Sequence, residues 1–72
     1  MLWLVMTDEN VSHQIISCNT HFDVSNNVYE VWITRPNGKS VKIKESTKED
    51  EVMLVKEAID YAIEHGETAL RI

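Results

Sequence analysis

The stretch that most constrains the fold of this chain is Val28 to Lys44, VYEVWITRPNGKSVKIK, which has the pattern of a β-hairpin. Apolar and polar residues alternate on both sides of a Pro-Asn-Gly turn. The turn can close in two ways that differ by one residue in strand register. Since a one-residue slip moves every side chain to the other face, the closure decides which residues join the core.

A two-residue Asn37-Gly38 turn would set Trp32 opposite Ile43 and mix apolar residues with lysines on one face. A type I turn centred on Pro36 and Asn37, with Gly38 as a left-handed bulge residue, shifts the register by one. It collects the apolar residues of both strands on one face: Tyr29, Val31, Ile33, Val41 and Ile43. Hydrophobic matching therefore favours the second closure.

In the favoured register Trp32 lies across from Lys42, on the face away from the helix. Glu30 lies beside it, across from Lys44. Two interpretations of Trp32 stay open. Its ring covers lysine methylenes in a cation–π contact of ~0.5–1 kcal/mol, or it marks a binding face, because Trp is enriched at interaction hot spots. Trp3, expected on a strand of the same sheet, has a facing that the pattern does not determine.

A helix is predicted over residues 47–65. Ser46 with Glu49, or Thr47 with Asp50, has the spacing of a capping box, and Gly66 is typical of a C-terminal cap. Apolar residues recur between them at helical spacing and predict the core stripe: Val52, Val55, Ala58, Ile59, Ala62 and Ile63.

The apolar arc of this helix is wide, roughly 200° at 100° per residue. Leu54, Tyr61 and His65 flank the core stripe on one side. They cover the margin of the sheet or a loop, or they meet a partner chain. The other side is polar, and its charges are interpreted as solubilising: Lys56, Glu57, Asp60 and Glu64.

These elements predict an α+β fold: a small antiparallel sheet of about four strands, plus a short C-terminal strand, packed on one face by a single long C-terminal helix. We expect one domain over residues 1–72, with strands at about 2–6, 13–18, 28–35, 40–45 and 68–71. Residues 19–27 are the least determined segment, with a turn at Ser25-Asn26-Asn27.

With 72 residues and one cysteine, the chain can bury only roughly 60% of its unfolded surface and forms no internal disulfide. We therefore expect a homodimer. The apolar start MLWLVM has no basic residues and runs directly into acidic ones, so it predicts a strand rather than a signal peptide. A cytoplasmic protein with no membrane segment is expected.

The residues able to carry catalysis or bind a metal are few: His13, Cys18, His21 and His65. Cys18-x-x-His21 resembles half of a zinc site, but the complementary pair is missing. Both glycines are explained by turns, which leaves no phosphate-binding loop. We expect no enzyme activity, no metal and no cofactor.

The formal net charge is −5, yet five of the seven basic residues fall between Arg35 and Lys48, while the helix is acidic. We expect a non-enzymatic protein-interaction module, a dimeric regulator or inhibitor of another protein. Very small acidic α+β proteins are often phage or prophage host-modulating factors. The expected interaction face is Trp32, Val28, Thr34, Arg35, Lys39, Lys42 and Lys44, with a second contact at Leu54, Tyr61 and His65.

The alternative function is nucleic-acid or nucleotide binding through the same hairpin face. The Trp32 ring would stack on a base while Lys42 and Lys44 hold phosphates. The helix start, KEDE, opposes this alternative because it would repel phosphate.

Overall fold

The computed structural model describes residues 1–72 and confirms the predicted α+β fold with one C-terminal helix. It has six strands, where about four and a short C-terminal strand were predicted. The elements in chain order are β1 Leu2–Met6, β2 Val11–Ile15, β3 Ser17–Asp23, β4 Val28–Thr34, β5 Ser40–Ser46, α1 Glu49–Glu64 and β6 Ala69–Arg71.

The strands form two three-stranded sheets, β2-β1-β6 and β3-β4-β5, where the sequence predicted one. The single strand predicted over residues 13–18 is divided at Ile16, whose backbone N–H donates to the Thr34 carbonyl at 2.9 Å. The chain thereby leaves one sheet and enters the other within one residue. Trp3 and Trp32 consequently lie in different sheets, and the prediction that they share one was wrong.

The last strand gives the first sheet its mixed character. Strand β6 pairs in parallel with β1, with Leu70 beside Leu4, while β1 and β2 are antiparallel. Hydrogen bonds continue the pairing at both ends, from Trp3 N to the Thr68 carbonyl and from Ile72 N to the Val5 carbonyl, each at 2.9 Å. Because β1 and β6 are the first and last strands, all the other elements lie in the connection between them.

Residues 19–27, which the sequence left open, extend β3 to Asp23 and then turn. The Asp23 side chain accepts hydrogen bonds from the backbone of Ser25 and from Asn26, the pattern of an Asx turn. The side-chain hydrogen bond from Asn26 is the main reason that the pKa of Asp23 is lowered. Asn27 closes the turn with φ +55°, a left-handed conformation that asparagine tolerates.

The β4–β5 turn has the favoured closure. Gly38 has φ +85° and donates from its backbone N–H to the Arg35 carbonyl at 2.9 Å. Ile33 pairs with Val41, and Trp32 pairs with Lys42, as predicted.

The helix begins two residues later than predicted. Lys48 occupies the N-cap position and makes no side-chain capping bond, so neither predicted capping box forms. Ser46 instead accepts from the Lys48 backbone N–H and donates to Glu51 Oε2 at 2.5 Å. At the other end Gly66, with φ +67°, follows the C-cap as predicted.

A single apolar core lies between the two sheets and the helix. The first sheet contributes Leu2, Leu4, Met6 and Ile15, the second Cys18, Val31, Ile33 and Ile43, and α1 contributes Val52, Ile59 and Ala62. The helix packs against strands of both sheets. Its orientation therefore decides which of its side chains remain at the surface.

The left-handed turn residue can be tested by substitution. Gly38→Ala should lower the free energy of unfolding by about 1–2 kcal/mol, because alanine resists a positive φ, although a Cβ there meets no atom within 4 Å. Gly38→Asn should lower the free energy of unfolding by less, because asparagine tolerates a positive φ. Urea denaturation of the two variants measures the difference. Equal stability of Gly38→Ala and wild type would contradict the left-handed conformation of Gly38.

Candidate interaction surfaces

Trp32 lies on the outer face of the β3-β4-β5 sheet, half-buried, and its polar atom is satisfied within the chain. The indole Nε1 donates to Glu30 Oε1 at 2.9 Å. The Glu30 side chain lies beside it on the same strand face, and the residue is only 5% exposed. Lys42 Nζ is 3.6 Å from Glu30 Oε2 and 3.4 Å from Glu45 Oε2.

A β-bulge in β5 explains this arrangement. Pairing shifts by one residue between Trp32 and Val31, so that Lys44 lies opposite Val31 and Glu45 lies opposite Glu30. The prediction that Glu30 pairs with Lys44 was therefore wrong. A bulge sets two residues against one, and hydrophobic alternation across the strand does not reveal it.

The bulge changes the charge around Trp32. Lys42 lies opposite Trp32, and it forms ion pairs with two carboxylates, those of Glu30 and Glu45. Partial desolvation lowers the pKa of Lys42, but attraction to Glu45 and Glu30 outweighs it, and the pKa lies above its usual value. Lys44 lines one cleft with Asp8 and Glu9 and a shallow second cleft with Lys42 and Glu45.

The other residues of the predicted hairpin face are spread along the hairpin. Val28 and Thr34 lie at the two ends of β4, on the Trp32 face and half-buried. Arg35 and Lys39 lie at the exposed tip, joined by a backbone hydrogen bond of 2.8 Å. Of the predicted residues, the structure thus brings Trp32 beside Lys42, and Lys42 beside Lys44 in one shallow cleft.

The second predicted contact lies on the solvent side of α1. Leu54 is 67% exposed and Tyr61 is 58% exposed. At 100° per residue they lie about 140° and 160° around the helix axis from Ile59, which is fully buried. They do not cover the sheet margin or a loop, which was one of the two expectations.

Ala58 was predicted in the core stripe, but it is exposed, as is His65. Both lie in a row with these two residues, which we call the helix stripe: Leu54, Ala58, Tyr61 and His65. The rings of Tyr61 and His65 stack with centroids 3.9 Å apart and planes inclined by 21°. His65 Nδ1 donates to the Tyr61 carbonyl at 2.9 Å. The stacking and this hydrogen bond hold both rings in place.

The sheet margin is occupied by a polar pair that the sequence placed in solvent. Lys56 and Asp60 are half-buried and form an ion pair one helical turn apart. The hydrogen bond to Asp60 is the main reason that the pKa of Lys56 is raised. The lysine methylenes cover apolar surface while the charge reaches Asp60.

The residues considered for chemistry are separated by the strand geometry. Cys18 pairs with Ile33 on the core face, whereas His21 pairs with Glu30 on the outer face, because positions three apart in a strand point in opposite directions. His13 lies on the core side of β2, and its Nδ1 is buried without a hydrogen-bond partner. No group of three or more His, Cys, Asp or Glu side chains is placed to hold a metal ion.

Trp3 is a further exposed aromatic residue. It lies 47% exposed on the outer face of the β2-β1-β6 sheet, between Gln14 and Ala69. The sequence pattern placed Trp3 on a strand but did not determine on which face of the sheet its side chain lies. It does not extend the Trp32 surface.

Comparison with known proteins supplies no relative. No family model, no curated protein and no solved structure matches this chain. No helix is long and apolar enough to cross a membrane. The surface geometry therefore carries the functional argument.

The orientation of α1 predicts that truncating two similar side chains changes the free energy of unfolding by very different amounts. Ile59→Ala should lower the free energy of unfolding by about 2–4 kcal/mol, because it leaves a cavity in the core. Leu54→Ala should change it by less than about 0.5 kcal/mol. Chemical denaturation measures both, and a large loss for Leu54→Ala would show that this side chain is buried.

The thiol of Cys18 makes a prediction about pH. Burial, and secondarily the Asp60 carboxylate, raise the pKa of Cys18 from 9.0 to about 11, against an opposing effect of Lys56. The folded state thus favours the protonated thiol. Its contribution to stability should be complete below pH 9 and decline as the pH rises toward 11.

Denaturation of wild type and Cys18→Ala across this range isolates the contribution of the thiol from that of the lysines. The difference in unfolding free energy between the two proteins should shrink as the pH rises. A constant difference would contradict the raised pKa.

Proposed function

We propose that this protein is a non-enzymatic protein-interaction module that regulates or inhibits another protein by docking on it. The observation that carries the proposal is the helix stripe, in which a leucine and a tyrosine face solvent on the side of α1 opposite the core. Exposed apolar residues grouped on a regular element are typical of protein–protein contact sites. A cytoplasmic setting and a phage or prophage regulatory role belong to the same proposal.

The cost of exposure supports this function. A small domain has little apolar surface to spare, and burying one leucine or tyrosine contributes about 1.5–3 kcal/mol. The structure nevertheless turns Leu54 and Tyr61 outward while Lys56 takes a position at the sheet margin. A binding partner that covers Leu54 and Tyr61 would gain the free energy of burying the apolar surface that folding leaves exposed.

The hairpin face gives less support to the alternative of nucleic-acid binding. Stacking on a base requires a free aromatic face among cations. Around Trp32 the structure places two carboxylates and one lysine, and that lysine is paired with both. Arg35 and Lys39 at the tip remain without an acidic partner, but no aromatic residue lies in the turn between them.

The test is a pull-down from lysate in which the bait is wild type, Leu54→Gln/Tyr61→Gln, or Val24→Gln, with and without nuclease. Val24 is an exposed valine in the β3–β4 turn, so it is the control for loss of a surface apolar side chain. A specific protein should be retained by wild type and Val24→Gln, insensitive to nuclease, and lost with the double variant.

Equal retention by the double variant would contradict the helix stripe as the docking surface. Loss of the partner on nuclease treatment would favour the nucleic-acid alternative. Circular dichroism spectra of the three proteins establish that the substitutions leave the fold intact.

A further inference from the structure

We propose that the occupant of the helix stripe is a cationic amphipathic helix of a protein partner. The inference rests on the proposed function, because it takes the stripe as the docking surface and adds the chemistry of what docks. It is carried by two features of α1: the shape of the stripe and the charge on its borders.

The stripe has the dimensions of a helix-packing surface. Leu54 to His65 spans 11 steps along the helix, about 16 Å at 1.5 Å per residue, or three turns. Ala58 lies between Leu54 and Tyr61, and its small side chain allows a second helix to approach closely. Tyr61, stacked on His65, supplies a pre-positioned aromatic anchor, which lowers the entropic cost of binding.

One border of the stripe carries an acidic row that forms no ion pair. Every exposed charged residue of α1 is an aspartate or glutamate: Glu49, Asp50, Glu51, Glu57 and Glu64. None of these lies within 4 Å of a lysine, an arginine or a histidine nitrogen, since the ion pairs of the chain involve other carboxylates. Asp50, Glu57 and Glu64 recur every seven residues and therefore form a row along one side of the stripe.

The one lysine within α1, Lys56, is turned toward the sheet and bonded to Asp60. A partner helix with an apolar face bordered by lysine or arginine would satisfy both the stripe and the acidic row. Opposite charges on facing helices set partner choice and orientation.

A second copy of this chain fits the stripe poorly. Its α1 would bring the same carboxylates, and the one exposed lysine at this helix is Lys48 at the N-cap. In an antiparallel pair related by a two-fold axis, the two Asp50–Glu57–Glu64 rows would lie on the same side of the contact and repel each other. At this surface the charge pattern thus favours a different protein over an antiparallel homodimer.

The experiment is a fluorescence-anisotropy titration of the full chain with two labelled synthetic peptides. The first is an amphipathic helix of about five turns with leucine along one face and lysine along its borders. The second replaces each lysine by glutamate. The lysine peptide should bind wild type at about 0.05 M salt and weaken as salt is added, and the glutamate peptide should not bind.

Charge variants with a matched control locate the contact. Glu57→Lys/Glu64→Lys should weaken binding of the lysine peptide at least about tenfold. Asp8→Lys/Glu9→Lys makes the same change in net charge in the β1–β2 turn and should leave the affinity within about twofold. Leu54→Gln/Tyr61→Gln should also abolish binding.

Three results would overturn the inference: no binding of the lysine peptide, equal binding of the two peptides, or an equal loss in the Asp8→Lys/Glu9→Lys control. A wild-type dimer that Leu54→Gln converts to a monomer in sedimentation equilibrium would also overturn it. These failures differ from failure of the proposed function. A lysate partner that still depends on Leu54 and Tyr61 would leave the docking surface standing with a partner of other chemistry.

Discussion

The packing of α1 against two separate sheets is the constraint on which the rest of this structure depends. The strands of the two sheets do not pair with each other, and the chain passes between them at Ile16. Val52, Ile59 and Ala62 lie in the one core that both sheets share. These three side chains fill the space that the two sheets leave open, and a core this small leaves the helix little freedom to rotate.

The surface of the protein follows from that orientation. A helix presents about half of its circumference to a sheet, whereas the apolar arc of α1 is wider than half. The structure uses the part of the arc centred on Ile59 and leaves Leu54 and Tyr61 in solvent. It also draws Lys56 and Asp60 to the margin, where they form an ion pair. The exposure of the apolar stripe and that of its acidic border thus both follow from the orientation of α1 against the sheets.

Local chemistry made much of this fold predictable. Pro36, Asn37 and Gly38 each suit one position of the turn, and the predicted register holds as far as Trp32. Beyond it a bulge in β5 changes the pairing, because burial of Ile43 and the network around Glu30 are long-range effects. The division into two sheets was likewise not predictable, since the sequence between Ile15 and Ser17 carries no glycine or proline to mark a bend.

The sequence by itself determined the hairpin turn, the C-terminal helix with its glycine cap, the short last strand, and the contrast between a basic hairpin and an acidic helix. These depend on residues close together in the chain, where backbone preferences and periodicity act directly. Only the tertiary structure decided which side of the wide apolar arc became surface and which charges surround Trp32. Both depend on contacts between distant segments, because a side chain is buried only when another element covers it.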